Sequence, residues 1–123
     1  MMLSMQYFYL NSRDELLRID INNLVFIEAE GNYSRIHIAN NQTGLVCIGL
    51  SKMEELIAKS VSKESAVFAR IGKRYIVNLR YIFRISVLKQ ELVLSDQHSF
   101  SYNVSVSKEA LKNLKDAITK KSI

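Results

Sequence analysis

The chain has 123 residues, 48% of them apolar, with 17 basic against 12 acidic side chains and a net charge of +5. That suits one domain with its own core, and the charge permits an anionic partner without imposing one. The lone cysteine, Cys47, excludes an intrachain disulfide or a thiolate metal cluster, and no window is apolar for long enough to span a bilayer.

Taken in order, Met5 to Leu10 and Glu15 to Ile19 flank Asn11-Ser12-Arg13-Asp14, which predicts a hairpin. Leu24 to Glu28 leads through Gly31-Asn32 to Tyr33 to Ile38, then through Asn40-Asn41-Gln42 to Thr43 to Ile48, a run of strands joined by tight polar turns. Cys47 falls in the last of these strands and is expected as a small buried hydrophobe. Ser51-Lys52-Met53-Glu54 has the spacing of a capping box and predicts a short helix that ends near Ser60 and shows Met53, Leu56 and Ile57 on one face.

Strand character returns at Val67 to Ile71, Tyr75 to Val77, Ile82 to Leu88 and Leu92 to Leu94. From His98 onward Phe100, Tyr102, Val104 and Val106 alternate with Ser99, Ser101, Asn103 and Ser105, so one face is buried and one wet. Ser107 is placed to N-cap a last helix whose Ala110, Leu111, Leu114, Ala117 and Ile118 form an apolar stripe. The periodicity therefore predicts a mostly β chain with two short helices and about ten short strands. Residues 1–19 read as a hairpin of the same domain as residues 20–123.

No nucleophile motif, phosphate-cradling glycine loop or metal-ligand cluster is present, so neither an enzyme nor a cofactor is expected. His37 and His98 stand alone and suit surface or cross-strand packing. Glu28 and Glu30 straddle Ala29 as a carboxylate pair might, but they end a strand beside a Gly-Asn turn and no sugar-stacking tryptophan exists.

The informative stretch runs from Glu64 to Glu91. It holds no acidic side chain between those two, yet carries Arg70, Lys73, Arg74, Arg80, Arg84 and Lys89. Arg84 and Lys89 suit the bland task of solvating a sheet edge. Arg70-Ile71-Gly72-Lys73-Arg74 suits it less, because strands meet there at a glycine turn on which cations converge. Such cations hold phosphates, and long basic side chains reach base edges in a groove.

Those residues belong to a wider pattern. Asn23 to Tyr33 (Asn-Leu-Val-Phe-Ile-Glu-Ala-Glu-Gly-Asn-Tyr), Leu50 to Leu56, and Phe68-Ala69-Arg70 through Val77-Asn78 to Ile82 resemble a LytTR-type DNA-binding domain over about residues 20–112. The resemblance implies small, mainly antiparallel sheets with a short helix between them. It also implies that loops at one edge enter major grooves of double-stranded promoter DNA, as in a bacterial transcriptional regulator. It carries DNA contact to Asn32, Tyr33 and Arg35, to Gly49, Ser51 and Lys52, to Arg70, Gly72, Lys73 and Arg74, and to the region of Asn103, Ser105, Val106 and Ser107. Lys73 and Arg74 are expected to read bases, and Arg70, Lys52 and Arg35 to hold phosphates. Tyr75 and Asn78 are expected to be structural, the tyrosine by packing and the amide by bridging turn carbonyls.

Gly72 stands where the family often has histidine, and Val106 where a basic residue is common. These departures favour a rival, a protein-interaction module on the same scaffold, and an RNA-binding module is a weaker third reading. The family usually carries an N-terminal receiver or membrane segment, and only a hairpin precedes Asp20, so a stand-alone regulator and a C-terminal piece of a longer one are both consistent. Two-site recognition would be met by a homodimer or by paired monomers on repeats. A cytoplasmic location is expected, since Met1 to Leu10 has no basic start followed by a long apolar run.

Overall fold

The structure is a computed structural model, and it describes residues 7–60 and 68–120. The start of the first expected strand, at Met5, and Val67 of a later one lie outside the described residues. Ten strands and two helices follow in chain order: β1 (Tyr7–Asn11), β2 (Leu16–Asp20), β3 (Leu24–Glu30), β4 (Tyr33–Ile38), β5 (Thr43–Val46), α1 (Leu50–Ser60), β6 (Phe68–Ile71), β7 (Tyr75–Asn78), β8 (Ile82–Ser86), β9 (Glu91–Ser95), β10 (Ser101–Ser105) and α2 (Lys108–Thr119). All pairings are antiparallel, in a hairpin β1-β2, a three-stranded sheet β10-β9-β8 and a five-stranded sheet β5-β4-β3-β7-β6.

The five-stranded sheet is covered on both faces. On one, Phe26, Tyr75 and Val77 meet Leu92, Leu94 and Val104 of the three-stranded sheet, Phe100 just ahead of β10, and Leu111 and Leu114 of α2. On the other, Ile27, Ile36 and Ile76 meet Phe8, Leu10, Ile19 and Ile21 of the hairpin region and Leu50, Met53 and Ile57 of α1. Central strands sandwiched in this way lose their polar alternation: every residue of β7, and Leu24 to Ile27 of β3, is buried. A register shift between Leu24 and Phe26 turns Val25 and Phe26 toward the same core, where strict alternation would part them.

Four expectations change. Cys47 is exposed, because β5 ends at Val46 and the cysteine falls in the bend that follows. The capping box does not form: α1 begins at Leu50, which places Ser51 inside the first turn, and Glu54 is bound to Arg70. His98 lies in a turn, where its N–H and those of Ser99 and Phe100 converge on Asp96 Oδ1, and β10 starts only at Ser101. Ala117 is exposed, although Ile118 beyond it packs against the core. The Ser107 cap is present, accepting from the Ala110 N–H at 3.3 Å.

Candidate nucleic-acid interface

Strand register decides which loops share an end. The turn at Gly31-Asn32 joins β3 to β4, and Ser34 stands opposite Ala29 on one side and Val46 on the other. The junction from β5 into α1 therefore emerges beside that turn, and the buried Ser34 hydroxyl holds it there by donating to the Ile48 carbonyl at 2.6 Å. The turn 72–74 arrives from the opposite flank, since the Ala29 N–H donates to the Arg74 carbonyl at 2.8 Å. Gly72 permits the reversal: its φ is +60°, a left-handed conformation that L side chains resist.

The three-stranded sheet contributes the last loops. Glu91 pairs with both Ser86 and Ser105, so the turn from β8 to β9 lies beside the junction from β10 into α2. The Val106 N–H donates to the Gln90 carbonyl at 3.1 Å, and Lys89 and Gln90 line a shallow depression with Ser105, Val106 and Ser107. A second depression brings Gly72, Lys73 and Arg74 against Ser105, Val106, Ser107 and Ala110. Val106 is itself buried, and Lys89 lines the same depression. The pairing of Glu91 with both Ser86 and Ser105 brings Lys89, an edge residue on sequence grounds, beside this junction.

Asn32, Tyr33, Ser51, Lys52, Lys73, Arg74, Ser105 and Ser107 are all exposed at this end. Asn103 is exposed too but sits in mid-strand opposite Val93, back from the rim. Among the described residues the ammonium groups of Lys52, Lys73 and Lys89 have no ion-pair partner, whereas the arginines are engaged. Arg35 is hydrogen-bonded to Glu30 through Nε, which holds the Glu30 carboxyl below its ordinary value. Arg74 Nη2 lies 3.6 Å from Glu28 Oε2 with its guanidinium 5.6 Å from the centroid of the Tyr75 ring, yet its side chain stays 65% exposed. Arg70 is turned away from these, toward α1, where Nη1 donates to Glu54 Oε1 at 3.0 Å.

Behind the rim His37 stacks on Phe26, with ring centroids 4.0 Å apart and planes 3° from parallel, and its Nε2 lies 3.3 Å from Glu28 Oε1. Nδ1 is buried with no partner, so a second proton would have no acceptor there. Burial accordingly lowers the His37 pKa, against the pull of Glu28. Tyr75 packs in the core, and the Asn78 amide donates to the Leu24 carbonyl at 2.9 Å, the structural tasks the sequence assigns them.

No group of three or more His, Cys, Asp or Glu side chains among the described residues is placed to hold a metal ion, and none of their helices is long and apolar enough to cross a membrane. The family model of the LytTr DNA-binding domain matches residues 14–119. The chain belongs to the LytTR family of DNA-binding domains. Among solved structures, this LytTR domain is similar to the LytTr DNA-binding domain of a protein described as a methyl-accepting/DNA response regulator from Bacillus cereus. The identity is 19%, the TM-score 0.61, and the match covers 92% of this chain and 96% of that one. At that identity the likeness establishes the shared fold. No curated protein matches the LytTR chain by sequence.

Proposed function

We propose that the protein is a sequence-specific regulator of transcription that seats the loop end of its five-stranded sheet in the major groove of double-stranded DNA and catalyses nothing. The observation that carries this is the register, which delivers separate loops from two sheets and a helix start to one end with uncompensated lysines among them. A duplex offers phosphates along its backbones and base edges between them, and a rim of this kind can engage both. Lys73 and Arg74, on the turn between β6 and β7, are the base readers. Lys52, Lys89 and Arg35 hold phosphates, and Asn32 and Tyr33 flank the groove. Ser105 and Ser107 donate to a further phosphate at the start of α2, with Asn103 at the margin. The helix stripe that a protein-interaction module would present is largely spent on the core, through Leu111 and Leu114.

Selection of bound duplexes from a random pool, followed by titration at several salt concentrations, tests the reading. A defined site should be enriched. Lys52→Ala should weaken all duplexes and reduce the salt slope by about one unit, while Lys73→Ala should lose about 1–3 kcal/mol of discrimination between the selected site and others. Enrichment of no site, or unchanged binding by both variants, would refute it.

A further inference from the structure

We propose that Arg70 is a positioning residue of this interface and not one of its phosphate contacts: it clamps the turn 72–74 to the first turns of α1, so that Lys73 and Lys52 are presented as one rigid pair. The inference rests on the DNA-binding reading above and assigns Arg70 a different task from the one its sequence motif implies.

Arg70 stands opposite Ile76 on the face of the sheet that α1 covers. Its guanidinium forks. Nη1 donates to Glu54 Oε1 of α1 at 3.0 Å, and Nη2 donates to the Lys73 carbonyl at 3.2 Å. Nε is buried without a hydrogen-bond partner, and the side chain is only 27% exposed. One planar group thus bridges a helix and a turn that are far apart in sequence, which a lysine's point charge cannot reproduce.

Swinging out toward a phosphate would make Arg70 release both acceptors. The Lys73 carbonyl would lose its donor, and the Glu54 carboxylate would be left bare beside a polyanion. Kept in place, the fork fixes Lys73 relative to Lys52, which lies two positions before Glu54 on the same helix. Contacts held in advance lose less freedom on binding.

Glu54 makes the sign of the effect decisive. Removing a carboxylate near a DNA-binding rim should by charge alone tighten binding to every duplex. The clamp demands that the same change loosen binding to the selected site.

The test uses the full chain, anisotropy titrations against the selected duplex and a scrambled one at several salt concentrations, and Glu54→Gln, Arg70→Gln, Arg70→Lys and Lys73→Ala. The clamp predicts that Glu54→Gln and Arg70→Lys each weaken binding to the selected duplex, and do so about fivefold relative to the scrambled one, the scale of one partly exposed charged pair. Arg70→Gln should leave the salt slope unchanged. Loss of folded protein alone would weaken both duplexes alike, so the ratio between them separates positioning from stability. Tighter binding by Glu54→Gln, or a slope lowered by about one unit in Arg70→Gln, would overturn the clamp and restore Arg70 as a phosphate contact. If Lys73→Ala binds both duplexes as the unaltered chain does, the interface itself is misplaced and the clamp falls with it, a distinct result.

Discussion

The two ends of the five-stranded sheet turn the chain by different chemistry. At the end away from the candidate interface, two junctions are built alike: Asp20 accepts from the Asn22 N–H ahead of β3, and Asn78 accepts from the Arg80 N–H ahead of β8, each opening a short 3-10 turn. The Tyr81 and Tyr102 hydroxyls donate to the carbonyls of Asn22 and Ile38 at 2.6 and 2.9 Å. These are short-range or buried side chain to backbone bonds. At the interface end, beside the buried Ser34 bond, the contacts are between partly exposed charges, Arg35 with Glu30, Arg70 with Glu54 and Arg74 with Glu28, next to lysines with no ion-pair partner. One end fixes the fold, and the other holds charge where salt and an anionic partner can reach it.

If that division is right, substitutions should sort by end. The largest stability effect belongs to Asn78, fully buried and engaged as both donor and acceptor. Asn78→Ala should cost about 3 kcal/mol in urea unfolding, since it strands the Leu24 carbonyl and the Arg80 N–H. The salt slope of DNA binding by the remaining folded protein should not move.

Gly72→Ala sharpens the contrast from the other side. A Cβ there meets nothing within 4 Å, so the cost is the left-handed backbone alone, about 1 kcal/mol. Selectivity between duplexes should fall further than stability does, because the turn carries Lys73 and Arg74. A loss of stability as large as that of Asn78→Ala would break the comparison.

The smallest effect is a slope. The folded-state pKa of His37 lies below its ordinary 6.5, so the unfolded chain binds more protons as the pH falls. The His37 contribution is therefore full above about pH 6.5 and is lost as the pH drops below it toward the folded value. His37→Phe keeps a ring on Phe26 and should flatten stability against pH across that window, as read by urea midpoints at stepped pH. An unchanged slope would assign the titration to other groups.

What could be read from the sequence was local. The hairpin, the Gly31-Asn32 and Asn40-Asn41 turns, the alternation of Phe100 to Val106 and the Ser107 cap are each settled by residues a few positions apart, and the structure has them. Asn40 and Asn41 hold φ of 78° and 66°, as left-handed turn residues do. What was illegible depends on partners distant in the chain. Ser51 and Glu54 satisfy a capping pattern, but Arg70, 16 residues on, takes the carboxylate. Cys47 looks like strand core until the strand stops one residue before it. Lys89 looks like edge decoration until Glu91 is seen to pair on both sides. Family membership was legible because its motif residues, Phe68 to Asn78 above all, keep their order and spacing along the chain.

Titration of the isotopically labelled chain with its selected duplex, followed by amide NMR shifts, tests the location of the interface most directly. The largest changes should fall at 31–35, 49–52, 72–74, 89–90 and 105–107, with 22–24, 40–42, 78–81 and 96–99 still. Changes centred on that second set, or spread evenly over both ends, would contradict it.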